Sequence, residues 1–307
     1  MADTVLCIDR VSRRYGDRLA LDAIDLEVSA GEIVGLVGQN GAGKSTLLRL
    51  CAGLLAPTAG ELFVLGGSPY TRSVRAGLGY LPDEPALYAE MHVRGAIAFM
   101  ARLAGVRRCD VVARVDWALE RCNLESVADR IVGRLSRGFR QRVGLAQALV
   151  HHPRLVLLDE PATGLDPLQL RNLERALRNL PGNPGIILSS HLLAHVTNLC
   201  SRVVVIDQGR IRHEGSPRTV ARTLIGARRV HLTLRGQRRA VESALERAGV
   251  KVSCLTATDG DWQATAEVSS EDRDTLVTDL VAAGLQVLEV ADVGFDEAFV
   301  EGLGQRP

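Results

Sequence analysis

The chain is 307 residues long, against roughly 100–200 residues for a typical domain, so two folded units are expected. Thirty-seven basic residues against 36 acidic ones leave a net charge of +1, which excludes nucleic-acid binding by bulk charge. A 46% hydrophobic and 24% charged composition excludes wholesale disorder, and with only 4% aromatics the cores must be built from Leu, Val, Ile and Ala. The stretch 182–201 carries no Asp, Glu, Lys or Arg, but Asn183, Pro184, Ser189, His191 and His195 make it too polar for a membrane span. The amino terminus, Met-Ala-Asp-Thr, does not read as a secretory signal. Six scattered cysteines without a C-x-x-C pair read as small buried hydrophobes in a reducing compartment, so a cytoplasmic location is expected. There are two lysines, Lys44 and Lys251, on an arginine-rich background. A lysine there points to a position that a guanidinium fills poorly.

Residues 4–36 alternate apolar and polar side chains, with strands expected near 5–10, 19–28 and 33–37 and a turn at Arg14-Tyr15-Gly16-Asp17. The third, Ile33-Val34-Gly35-Leu36-Val37, reads as a buried parallel strand feeding Gly38–Thr46 and then a helix with Leu47, Leu48 and Leu50. Residues 85–150 read as mostly helical. Two further buried strands, Leu155–Leu158 and Ile186–Ser189, flank a helix near 167–180, and a third, Val203–Asp207, ends at the turn Gln208-Gly209. This alternation predicts a parallel α/β sheet. After about residue 220 the pattern changes: a strand with Val230, Leu232 and Leu234; a helix with Val241, Ala244, Leu245 and Ala248; strands Val250–Leu255 and Trp262–Val268 around Asp259-Gly260. A helix capped by Ser269 and Asp272 and stopped by Gly284, then a strand Leu285–Val290, completes β-α-β-β-α-β, a small ferredoxin-like domain.

Gly38-Gln39-Asn40-Gly41-Ala42-Gly43-Lys44-Ser45-Thr46 is a P-loop between a strand and a helix. Its glycines let backbone N–H groups curl around phosphate oxygens at a helix N-terminus. Lys44 is suited to the β- and γ-phosphates and the Ser45 hydroxyl to Mg²⁺. Leu155–Leu158 ends in Asp159-Glu160, where the first acid suits the shell of Mg²⁺ and the second the activation of a water for in-line attack on a γ-phosphate.

Leu135-Ser136-Arg137-Gly138-Phe139-Arg140-Gln141-Arg142, about twenty residues before Asp159, resembles the signature of ABC-type ATPases. Gly164-Leu165-Asp166 is similar to their D-loop, His191 to their switch histidine, and Tyr15-Gly16 to the aromatic position that stacks on adenine. The resemblance spans about residues 3–220. It implies a P-loop NTPase cassette over 1–220 with a helical subdomain inserted at about 85–150, followed by the C-terminal domain at 229–307. It further implies cassettes paired head to tail around two ATP molecules, with Ser136 and the Gly138 N–H of one meeting the phosphate held by Lys44 of the other. Glu160 and His191 then carry catalysis. The glutamine usual in the family before the helical subdomain is Asp83 here, a residue able to ligate Mg²⁺ directly or through water. The signature departs from the usual pattern at Arg137 and Phe139. Segments 79–88 and 135–147 are similar to the cassettes of ABC-2-type exporters, including gliding-motility, nitrous-oxide-maturation and drug-resistance systems. Gly294–Phe299 is similar to their C-terminal pattern.

The expected function is an ATPase subunit that drives a separate integral-membrane permease, as a homodimer or with a paralogous cassette. It is expected to be peripheral on the cytoplasmic face of the inner (cell) membrane, with no nucleic-acid partner, and to receive a permease helix in a groove near Asp83. A ribosome- or DNA-acting ABC protein is disfavoured, because the chain has neither two cassettes nor an interrupting coiled coil. A nucleotide-gated binding module with negligible hydrolysis is the remaining alternative, motivated by Asp83. A regulatory or dimerisation role is expected for the C-terminal domain. His151, His152 and His213 lack partners at metal spacing and read as surface residues; Arg137, Arg140 and Arg142 read as a solvated helix face.

Overall fold

A computed structural model describes residues 3–165, 167–192, 196, 198–225, 228–247, 251–258, 261–268 and 273–292. The chain divides into two compact units, Met1–Pro217 and Arg218–Pro307.

In the first unit, β1 (Thr4–Tyr15) and β2 (Arg18–Ser29) form a long antiparallel hairpin, so the strand runs through Tyr15 and the turn lies at Gly16-Asp17. β3 (Ile33–Val37) leads through the glycine loop into α1 (Lys44–Cys51). β4 (Ala59–Val64) pairs antiparallel with β1 to complete a three-stranded sheet. After the short α2 (Arg72–Ala76), β5 (Leu78–Leu81) precedes the helical subdomain. There α3 (Val93–Leu103) buries Val93, Ala96, Ile97 and Ala101, and α4 (Val111–Arg121) buries Val111, Val115, Ala118 and Leu119. Both sets follow the 3.6-residue period of a one-sided helix. α5 (Arg137–Leu149) closes the subdomain, and Gln147 Nε2 donates to Ala96 O at 3.2 Å to tie it to α3.

β6 (Leu155–Leu158), α6 (Pro167–Arg178), β7 (Gly185–Ser190), β8 (Arg202–Asp207) and β9 (Arg210–Gly215) complete the unit. The six-stranded sheet has the order β5-β6-β7-β3-β8-β9, parallel except for β9. β6 and β7 are buried along their whole length, as a sheet covered on both faces requires. β9 turns back because Gln208 and Gly209 both adopt positive φ (46° and 76°), the geometry of a tight hairpin turn. The order puts β3 in the interior, flanked by β7 and β8, so its carboxyl end opens beside those of β6 and β7. Ligands of open α/β sheets bind at that edge.

The second unit contains α7 (Pro217–Ile225, which begins at the boundary), β10 (Arg228–Arg235), α8 (Arg238–Arg247), β11 (Lys251–Thr258), β12 (Asp261–Val268), α9 (Arg273–Ala282) and β13 (Gln286–Asp292). Its antiparallel sheet, β11-β12-β10-β13, has the ferredoxin-like order, and Val230, Leu232, Leu234, Val241, Leu245, Leu276 and Leu280 share one core. Ala248, Asp259-Gly260, Ser269, Asp272 and Gly294–Phe299 lie outside the described residues. Among the described residues no helix is long and apolar enough to cross a membrane.

Candidate functional site

The loop between β3 and α1 is shaped by close approach. A Cβ on Gly38 would lie 2.2 Å from the Ile206 carbonyl oxygen, and one on Gly43, at φ 115°, 2.7 Å from Leu21 Cδ2. No side chain fits at either position, and without one the loop backbone can approach a ligand closely. Gly38 N donates to Ser190 O at 3.3 Å, fastening the loop to the end of β7. Lys44, Ser45 and Thr46 form the first turn of α1. Lys44 is only 5% exposed; its Nζ donates to Gly38 O (2.7 Å) and Gln39 O (3.2 Å) and sits 3.4 Å from Glu160 Oε1.

Asp159 follows β6, and its N–H donates to Leu81 O at the end of β5 (2.8 Å). It is 1% exposed. Oδ1 accepts from Ser45 Oγ (3.1 Å) and Ser189 Oγ (2.7 Å), whereas buried Oδ2 has no hydrogen-bond partner. Ser45 and Asp159 therefore present hard oxygen donors around one orphaned carboxylate oxygen, a set that fits Mg²⁺. Glu160 is held at φ 49°, a left-handed conformation that costs a non-glycine residue on the order of 1–3 kcal/mol. Its N–H donates to Ser189 Oγ (2.8 Å); its Oε2 accepts from Thr163 Oγ1 (3.2 Å) and lies 2.8 Å from His191 Nδ1. Lysine, glutamate and histidine thus meet from three adjacent strand ends, an arrangement that can hold a phosphate and orient a water against it.

Tyr15 ends β1, 42% exposed, with the Arg13 guanidinium 4.7 Å from its ring centroid. Its cross-strand neighbour Arg18 reaches towards Gly41, bringing the Tyr15 turn beside the phosphate loop. Asp83 lines a small cavity with Arg137, Gly138, Gln141, Glu160 and Thr163. Burial, reinforced by the Asp159 and Glu160 carboxylates, pushes the Asp83 carboxyl up, against the opposing pull of Arg137. Ser136 is the N-cap of α5, but its hydroxyl makes no capping bond. α5 begins at Arg137, with Ser136 O accepting from Arg140 N (3.0 Å) in its first turn.

The arginine trio is solvent-exposed only at Arg137, which also lines the Asp83 cavity, and Arg140. Arg142 is half-buried, donates to Asn123 O at 3.1 Å and stacks on Phe139 at 4.0 Å. His151 and His152 are likewise half-buried rather than freely exposed. His151 Nε2 bonds Leu78 O at 3.1 Å, and His152 meets the Trp117 ring edge-on at 4.3 Å. Ser189 and Thr163 are the residues at the site that motif matching passes over. The signal for Ser189 was a pair of hydroxyls, Ser189 and Ser190, ending an otherwise apolar buried strand, each of which must find a partner. Asp166 lies outside the described residues.

The ABC transporter family model matches residues 21–163. Nod factor export ATP-binding protein I of Rhizobium etli is 38% identical over 226 residues, 73% of this chain and 72% of that protein. The daunorubicin resistance ATP-binding protein DrrA3 of Streptomyces coeruleorubidus is 37% identical over 259 residues, 82% of this chain and 81% of that protein. Among solved structures, cbiO1 from Clostridium perfringens, part of the ABC transporter complex cbiONQ, matches with a TM-score of 0.63 at 30% identity over 71% of this chain and 90% of that one. Likeness that extends through most of both partners, in sequence and in fold, leaves one conclusion: this chain belongs to the ATP-binding proteins of ABC transporters, which hydrolyse ATP to power transport.

Proposed function

We propose that this chain is the ATPase subunit of an ABC-2-type exporter and that its chemistry runs through Lys44, Asp159, Glu160 and His191. The observation that carries the chemistry is the convergence of Lys44 Nζ and His191 Nδ1 on the two oxygens of Glu160 (3.4 and 2.8 Å). Export is supported by the Nod factor export and daunorubicin resistance relatives. Tyr15 stacks on adenine, and the loop Gly38–Gly43 (Gly38, Gln39, Asn40, Gly41, Ala42, Gly43) with Thr46 surrounds the phosphates. Arriving phosphate draws Lys44 from Glu160 and the two carbonyls and frees the carboxylate. Glu160 then accepts a proton from water as its oxygen attacks the γ-phosphorus and the bond to the ADP oxygen breaks. His191 and Thr163 hold Oε2 so that the carboxylate keeps one orientation through the step. Ser45 and Asp159, with Asp83 nearby, are the residues to hold Mg²⁺, which when bound neutralises phosphate charge.

Proteins of this family work with membrane components. For this chain we propose a homodimer or a pair with a paralogous cassette, closed over ATP by Ser136 and Gly138 of the opposite subunit. It docks on an integral-membrane permease at the cytoplasmic face of the inner (cell) membrane. The cassette occupies about residues 1–220, and the domain at 229–307 serves regulation or dimerisation, supported by its own closed core. The test is steady-state phosphate release by Glu160→Gln with and without permease. Turnover should fall by a factor on the order of 10²–10⁴, and near-wild-type turnover removes Glu160 from its role.

A further inference from the structure

We infer that Ser189 is a positioning residue for hydrolysis, one hydroxyl that holds the consecutive acids Asp159 and Glu160 in their working orientations. The inference rests on the reading of Glu160 as the base. Ser189 lies near the end of β7, 0% exposed, in a strand whose six residues are all buried. A hydroxyl has one proton and two lone pairs. Here the proton goes to Asp159 Oδ1 at 2.7 Å, and a lone pair receives the Glu160 N–H at 2.8 Å.

Each bond fixes a different property. The first adds to that from Ser45 on the same Oδ1, so Oδ2 is the oxygen left unpartnered. The second anchors the backbone of a residue at φ 49°, which reverts to a commoner conformation unless its surroundings hold it. A carboxylate-bound hydroxyl is polarised and accepts more strongly, so the two bonds reinforce each other. Without the hydroxyl, the Glu160 amide is left unsatisfied beside the buried Ser189 position. The Asp159–Glu160 peptide then turns to find another acceptor, carrying the Glu160 carboxylate away from His191 and Lys44. Lys44 Nζ keeps its hydrogen bonds to the Gly38 and Gln39 carbonyls, so nucleotide affinity is not weakened. The adjacent hydroxyl cannot substitute, because Ser190 Oγ is engaged with the N–H (3.0 Å) and carbonyl (2.8 Å) of Leu192.

The experiment is ATPase kinetics and fluorescent mant-ATP titration, with and without Mg²⁺, on the full chain as Ser189→Ala, Glu160→Gln and the double variant. Ser189→Ala should lower kcat by about 10- to 100-fold, the scale of a misplaced catalytic group, while KM and the mant-ATP Kd rise by no more than about twofold. Added to Glu160→Gln, it should cost less than about twofold more, because the group it positions is already gone. Ser189→Cys keeps the volume and a weak donor. It should give an intermediate kcat, and it carries the same double-variant comparison if the alanine chain does not fold. A kcat within twofold of wild type, a loss of affinity as large as the loss of kcat, or a full multiplicative loss in the Glu160→Gln background overturns the role of Ser189. Wild-type turnover by Glu160→Gln alone overturns the underlying reading of Glu160 instead.

Discussion

Replacing Glu160 with glutamine should tighten ATP binding while loosening the nucleotide-free protein. Lys44 Nζ lies 3.4 Å from Glu160 Oε1, and the two side chains are 6% and 13% exposed. At an effective dielectric constant of about 20, unit charges at that separation attract by about 5 kcal/mol. Desolvation of the two groups cancels most of this, leaving about 1–2 kcal/mol, between an exposed ion pair and a charge-assisted hydrogen bond. A phosphate must overcome that attraction to capture the lysine, and it must also approach a carboxylate of its own sign. Glutamine removes both costs, so Kd should fall by about 5- to 30-fold at 1.4 kcal/mol per decade. In the free protein the same change leaves the Lys44 ammonium with only the carbonyls of Gly38 and Gln39, so its melting temperature should drop. Mant-ATP titration in EDTA, where hydrolysis does not compete, measures the first effect, and thermal unfolding with and without nucleotide measures the second. Unchanged or weaker binding by Glu160→Gln would refute the competition for Lys44.

Four further outcomes are expected. Gly43→Ala should weaken mant-ATP binding at least about 100-fold with the circular dichroism spectrum retained, because its Cβ meets Leu21 Cδ2 at 2.7 Å and Ala20 O at 2.8 Å at φ 115°. Ser136→Ala should leave the melting temperature nearly unchanged, since no capping bond is lost; it should nevertheless lower ATP-driven dimerisation and turnover about tenfold, read by size exclusion and phosphate release. Deleting residues from about 226 onward should leave mant-ATP affinity intact, given the separate core of the second unit, and loss of binding by a folded truncation contradicts this. For His151, burial first and Arg114 second lower the pKa below its ordinary 6.5, against the opposing bond to Leu78 O. The unfolded chain therefore takes up this proton before the folded one does. The stability contributed is complete above the unfolded value and declines as pH falls through it. The melting-temperature difference between wild type and His151→Gln should shrink on going from pH 8 to pH 5.5, and a pH-independent difference counts against a buried neutral ring.

Much of the site was legible because its chemistry is local in the chain. Gly38–Ser45 carries the glycines, the lysine and the helix start in one run, and Leu155–Glu160 carries a buried strand and both acids in another. The inserted subdomain read only as mostly helical, whereas the β-α-β-β-α-β tail was readable element by element from its periodicity. β4, β5 and β9 were not assigned from pattern alone. β4 is largely exposed, β5 is four residues long, and β9 alternates exposed and half-buried side chains without a strong apolar face. The histidines were misread because isolation in sequence says nothing about burial: Leu78 and Trp117, the partners of His151 and His152, are more than thirty positions away.

The amino-acid sequence by itself determined the phosphate loop, the two acids and the alternation that makes a parallel sheet, because each depends on residues adjacent in the chain or repeating at a fixed period. Tertiary structure alone decided which groups meet. It brought β3, β6 and β7 side by side, so that Lys44, Glu160 and His191 converge, and it set Ser189, thirty residues from Asp159, against both acids. It also left Oδ2 of Asp159 without a partner and held Glu160 at a positive φ. Hydrogen bonds across a sheet depend on strand order and register, which are settled by the packing of the whole core rather than by any one segment.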